Sequence, residues 1–275
     1  MSKINQDKFN TPWRLIANAI YSPAKDAKVF GTLDVDVTKA DKYISEQRKA
    51  GNKITMTSIM TSAVARSLAF NAPEMNCFVR RGRVIPRDYI DVMVSVLIQG
   101  GQEMSAVKIE SAHTKTVSEI AKEIKAKAAE ARKGIEDKSM DNKYILSKIP
   151  WPFRKWVYQF IRLVVYGLGI KSFGLSEHSF GSIMVTNVGT LGLTTALPAL
   201  FPAAKIPGVI AMGKYEQKPV VVKGKIDIRT FLAGGAVFDH RVVDGAQIGQ
   251  FVRGVVRRIN NPEQLDQLES VDKSA

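Results

Sequence analysis

The chain has 275 residues, 45% of them hydrophobic and 24% charged, enough apolar side chain to bury a substantial core and too much for a disordered polypeptide. A single cysteine, Cys77, excludes a disulfide framework and any multi-cysteine zinc site; it fits the reducing cytoplasm, and no metal site is expected. With 40 Lys and Arg against 26 Asp and Glu, the net charge of +14 favours polyanionic partners: nucleic acid, an acidic membrane surface or phosphorylated ligands.

The opening MSKINQDKFN lacks the apolar stretch of a secretory signal. Leu33, Val35 and Val37 alternate with polar residues as in a half-buried strand, and Thr38 starts a helix that runs to Lys49 and stops at Gly51. A second helix follows Thr57, with Ile59, Met60, Ala63, Val64 and Leu68 on one face. Arg81 and Gly82 mark a hairpin turn, and Asp91 to Ile98 and Glu103 to Ile109 read as strands around Gly100 and Gly101. Thr116 with Glu119 forms a capping box that opens a long charged helix ending near Gly134. The basic stretch Lys115 to Lys143 also holds Glu119, Glu123, Glu130, Glu136, Asp137 and Asp141, the pattern of a solvated helix face, so nucleic-acid binding is not expected.

Tyr144 to Gly174, rich in aromatic residues and arginine, reads as an insertion. Its apolar window Trp156 to Ile170 is short for a bilayer span and carries Arg162 in its middle. Strands follow at Ser182 to Thr186, Gly208 to Met212, Pro219 to Val222 and Thr230 to Phe238, with a Lys223 and Gly224 turn. Ile248, Phe251, Val252, Val255, Val256 and Ile259 recur at helical spacing until Asn260, Asn261 and Pro262. No linker divides these elements, so one domain spanning 1–275 with a mixed sheet flanked by helices is expected, an α/β (α+β) fold.

Of the three histidines, His113 in a polar run and His178 beside Glu177 read as surface residues. His240 stands in FDHRVVDGA, where an apolar strand ends, a charged turn follows and an amphipathic helix begins. A histidine held at a strand end can present a ring nitrogen as a general base near neutral pH, with Asp239 and Asp244 to orient the imidazole or its surroundings; Asp244 is equally placed to cap the helix. Cys77 reads as a buried core residue. The sequence contains no P-loop, GxSxG elbow or GxGxxG fingerprint.

The string DHRVVDG resembles the DHRxxDG signature of the dihydrolipoyl acyltransferase catalytic domain of 2-oxoacid dehydrogenase complexes, a relative of chloramphenicol acetyltransferase. GTLDVDVT at Gly31, NAPEMNC at Asn71, SIMVTNVGTLG at Ser182 and GVIAMGK at Gly208 resemble further stretches of that family, in the family's order. The resemblance implies a chloramphenicol acetyltransferase-like two-layer sandwich and a coenzyme A dependent acyltransferase. It also implies a trimer with sites between subunits, His240 as general base, Asp244 as support for the geometry, and the hydroxyl of Thr186 as oxyanion donor. Arg241 and Arg14 are the candidate partners of Asp244. The resemblance implies a dihydrolipoyl-type thiol as the acyl acceptor, which would come on a separate lipoyl or acyl carrier protein, since no lipoyl attachment site is expected in this chain. Two other readings stay open: a non-catalytic assembly protein with this fold, which retention of all three site residues disfavours, and an O- or N-acyltransferase for a small acceptor. QGGQEMSAVK at Gln99 and the long loop LTTALPALFPAAKIP depart from the family pattern. The insertion, with Trp151, Trp156, Phe160 and neighbouring basic residues, has three readings: packing against the chain's own core or another subunit, a membrane-surface helix through 151–169, or a lid over an acyl chain.

Overall fold

Period-two alternation and 3.6-residue spacing sort this sequence into one six-stranded mixed sheet and the helices packed on it. The structure, a computed structural model, describes residues 27–98, 103–133, 150, 153–172, 176, 178–200 and 204–268. In chain order the elements are β1 (Lys28–Asp36), α1 (Thr38–Lys49), α2 (Met56–Phe70), β2 (Cys77–Arg80), β3 (Arg83–Pro86), β4 (Val92–Ile98) and β5 (Glu103–Ile109). There follow α3 (Val117–Arg132), α4 (Phe153–Arg162), β6 (Ile183–Asn187), β7 (Gly208–Val222), β8 (Lys225–Asp239) and α5 (Gly245–Ile259). The sheet order is β1-β8-β7-β6-β4-β5, with β6 parallel to both its neighbours and the other pairs antiparallel; β2 and β3 form a separate hairpin.

Thr55 caps α2 and Thr116 caps α3, each through a reciprocal capping box. The buried faces of both helices meet α5 and the strands in one core that includes Ile59, Leu68, Ile120, Val185, Phe238 and Phe251. Both hairpin turns put a non-glycine residue and a glycine at positive φ, Arg81 (49°) with Gly82 (72°) and Lys223 (50°) with Gly224 (77°), as two-residue turns of matching twist require. Two expectations change. Leu33 is 41% exposed while Val35 and Val37 are buried, because β1 is the sheet's edge strand and gains cover only where it passes toward α1. The separate strands expected at Gly208 and Pro219 are one strand, irregular between Met212 and Tyr215, whose polar stretch pairs with β8 in a long hairpin.

The pleat gives the central strands two faces. Ile210 and Ala236 face the helices, whereas Val209 and Val237 meet Leu200, Ala204 and Ile206 of the loop after β6 in a second cluster. That loop lies directly on the sheet: a Cβ added at Gly213 would stand 1.7 Å from the Thr194 carbonyl oxygen, and one at Gly235 would stand 1.9 Å from that of Ala196. Gly235→Ala should therefore push backbone off backbone and cost about 1–3 kcal/mol, an overpacking penalty read as a lower melting temperature. An unchanged melting temperature would show that the loop lifts freely.

Candidate active site

The turn that ends β8 is fixed by its own backbone and one ion pair. His240 N–H donates to the Ala27 carbonyl, just before β1, at 2.6 Å, and the Val242 and Val243 N–H groups both donate to the Asp239 carbonyl. Arg241 grips the Asp239 carboxylate with Nε and Nη2, and both side chains are largely buried. Asp239 thus orients the surroundings of the imidazole, holding the turn through Arg241, and Arg241 is paired with Asp239. Arg14 lies outside the described residues.

The imidazole of His240 stands over the start of α5. Its Nδ1 lies 2.8 Å from the Val243 carbonyl oxygen and 3.2 Å from Asp244 Oδ1. A carbonyl oxygen only accepts, so Nδ1 carries the proton and Nε2 is the ring's acceptor. Asp244 is also the N-cap of α5 in a capping box, its backbone N–H donating to Gln247 Oε1 at 2.9 Å. The cap and the contact with the histidine, weighed as alternatives in the sequence, are one arrangement: the helix start holds the carboxylate beside Nδ1 of the ring.

Thr186 sits near the end of β6 and is buried. Its Oγ1 accepts a hydrogen bond from Ser95 Oγ on β4 at 2.7 Å. With Ser95 as the donor in this bond, the Thr186 hydroxyl keeps its own proton for another acceptor. Ser95 was not singled out in the sequence; only the register, Val94 opposite Val185, places it beside Thr186. Asn187 follows, donating to Thr57 Oγ1 at 3.2 Å and accepting from Thr190, so the turn after β6 is tied to the start of α2. Ser95, Thr57, Asn187 and Thr190 line a cleft of about 520 Å³. Its lining carries Arg48, Lys53, Lys125 and Arg132 and, among the described residues, no acidic one, and it includes Met56, Val94, Val96 and Ile124.

The structure brings His240 and Asp244 together, and it does not bring Thr186 to them. Thr186 is level with Ala211 on β7 and, through it, Gly235 on β8. His240 is two strands across and five residues farther along, a displacement of about 10 Å by 16 Å at ordinary strand spacings.

The other singled-out residues fall elsewhere. His113 is half buried beside α2 in a short helical turn, and burial holds its pKa below the usual histidine value. His178 meets Tyr89 through a hydroxyl to Nδ1 hydrogen bond and an edge-on ring contact. The expectation that both are surface residues therefore gives way to packed roles, because the polar neighbours in sequence are not their neighbours in space. Cys77 is buried, as expected.

Comparison with known proteins places this geometry in a family. The model of the 2-oxoacid dehydrogenases acyltransferase (catalytic domain) matches residues 9–142 and 170–266. The chain is 22% identical over 258 residues to the dihydrolipoyllysine-residue succinyltransferase component of the 2-oxoglutarate dehydrogenase complex of Rickettsia conorii, covering 92% of this chain and 55% of that protein. It is also 22% identical to the acetyltransferase component of the Bacillus subtilis acetoin cleaving system, over 89% of this chain and 52% of that one. The chain thus spans about half the length of these relatives. Among solved structures, the Azotobacter vinelandii dihydrolipoamide acetyltransferase superposes with a TM-score of 0.65 at 17% identity, covering 92% of this chain and 88% of that one. A chloramphenicol acetyltransferase superposes with 0.52 at 13% identity, covering 93% and 98%; at these identities both likenesses speak for the fold alone. With its match running through β1, the Thr186 strand and the His240 turn, the chain belongs to the 2-oxoacid dehydrogenases acyltransferase (catalytic domain) family.

Proposed function

We propose that the protein moves an acyl group between coenzyme A and a thiol acceptor of dihydrolipoyl type, by general-base catalysis at a site shared between subunits of a trimer. The observation that carries the reading is the placement of the His240 ring: Nδ1 faces the Val243 carbonyl and the Asp244 carboxylate, a setting in which Nε2 is the nitrogen to take a proton from a thiol. The thiolate then attacks the thioester carbonyl carbon, forming one C–S bond, and the carbonyl electron pair moves onto oxygen. The hydroxyl of Thr186 from the neighbouring subunit donates to that oxyanion. When the intermediate collapses, the original C–S bond breaks and the departing thiolate recovers the proton from Nε2, while Asp244 steadies the transient imidazolium.

Two further observations support this reading. The distance between Thr186 and His240 within one chain leaves each residue half a site, which a ring of subunits would complete. The lining of the cleft beside Ser95 joins cationic to apolar side chains, a combination suited to a phosphate-bearing thioester. The acceptor thiol would arrive on a separate lipoyl or acyl carrier protein, in the reducing cytoplasm that the buried Cys77 suits.

The test offers the purified protein a panel of acyl-CoA thioesters with dihydrolipoamide, small alcohols, amines and acyl carrier proteins, and follows CoA and acylated acceptor by chromatography. Acyl-CoA consumption that requires dihydrolipoamide is expected. Turnover with alcohols or amines alone would replace the thiol acceptor, and no turnover with any acceptor would sink the enzymatic reading in favour of an assembly role.

A further inference from the structure

The one segment that the family match leaves out between its two stretches, residues 143–169, contains a helix with an uncovered apolar face. Phe153, Trp156, Phe160 and Leu163 follow one another at spacings of three, four and three residues, so they share one side of α4 and the turn that continues it. All four are exposed, Trp156 to 74%. The opposite side is anchored. Val165 and Tyr166 are buried with Ile161 and Phe180 packed against them, Lys205 Nζ donates to the Tyr166 carbonyl at 2.8 Å, and Arg81 Nε donates to that of Gly167 at 3.1 Å. The apolar stripe is therefore held outward by the fold, with the tip of the β2–β3 hairpin tied beside it through Arg81.

In sequence, the segment that carries the stripe has charge of one sign. From Asn142 to Ser176 the sequence contains Lys143, Lys148, Arg154, Lys155, Arg162 and Lys171 and no Asp or Glu. The hairpin tip adds Arg81 and Arg83, both exposed. With the turn that continues it to Gly167, α4 is about 20 Å long, short of a bilayer's hydrocarbon core, and no helix among the described residues is long and apolar enough to cross a membrane, so it would lie in the surface. We propose that this face docks on an anionic lipid surface, with the aromatic stripe in the acyl boundary and the surrounding cations among the headgroups.

Charge decides between this occupant and the others. Two copies meeting through the patch would oppose cation to cation, whereas anionic headgroups neutralise it. A lid would have to reach the cleft beside Ser95, and no residue of 153–172 lines that cleft. The proposal is independent of the acyl-transfer reading, since none of its residues belongs to the His240, Asp244 or Thr186 sites.

The full chain is mixed with vesicles of phosphatidylglycerol and phosphatidylcholine and, separately, of phosphatidylcholine alone, then floated on a density gradient. Binding to the anionic vesicles at low salt, a blue shift of tryptophan emission and release as salt rises are expected. Trp156→Ser combined with Phe160→Ser should weaken binding by about a hundredfold. Both side chains are exposed, so the melting temperature should hold, and acyl transfer should be unaffected. The proposal is overturned if anionic vesicles leave the full chain unbound, if the double variant binds as well as the parent, or if neutral vesicles bind equally. A lipid-free, concentration-dependent oligomer that the double variant abolishes, with vesicles ignored, would assign the face to a second copy instead.

Discussion

His240→Ala should reduce acyl transfer by about a hundredfold or more while leaving the melting temperature nearly unchanged. The size of the effect follows from the tautomer: with the Nδ1 proton held by the Val243 carbonyl and Asp244, the ring offers one basic nitrogen, and alanine offers none. The small effect on stability follows from position. The side chain is 38% exposed on a turn, and the contacts that hold the turn run through the His240 backbone, Ala27 and the Asp239 to Arg241 pair, all of which survive the substitution. Steady-state rates with dihydrolipoamide and an acyl-CoA give the measurement. Activity within a few-fold of the parent would remove His240 from the mechanism.

Mixing two inactive proteins should restore activity. His240→Ala and Thr186→Ala each damage every site of a homotrimer, but in a heterologous ring built from both, a site is whole wherever a chain with His240 faces a chain with Thr186. Random reassembly after unfolding equal amounts together makes that about one interface in four, so recovery to about a quarter of the parent activity is expected. If His240 and Thr186 act within one chain, no chain has both, and the mixture stays at the mean of the two variants. A parental rate for Thr186→Ala by itself would separately remove the oxyanion assignment.

What the sequence showed of this molecule was mostly what is local. The capping box at Thr116 and Glu119, the turns at Arg81 and Lys223 and the apolar stripe of α5 depend on residues within a few positions of one another, and they stand as expected. The string around His240 was equally legible, because base, turn and helix cap lie within five residues. Facts set by sheet order were hidden. Alternation at Leu33 shows which side a residue takes but not that β1 is an edge, and the polar run Lys214 to Lys218 looked like a loop because its partner strand lies beyond a turn. Ser95 could be found only through the register of β4 on β6, and the true partner of Asp239 only through the bend that folds Arg241 back on it.

The bare backbone contact of residues 194 and 196 with Gly213 and Gly235 has a mechanical consequence for the proposed site. The segment leaving β6 is seated on β7 and β8 with no side chain between them to act as a cushion, so Thr186 and the turn bearing His240 move as parts of one stiff plate. In the shared site proposed above, local loop motion would then have little purchase on the gap between the Thr186 hydroxyl and the imidazole of the next subunit. That gap would be tuned mainly by how whole subunits tilt against each other, which would make the reaction rate a gauge of quaternary fit: pressure, assembly state or a bound carrier that rocks the ring by a fraction of an ångström should register in turnover before it registers in any subunit's own structure.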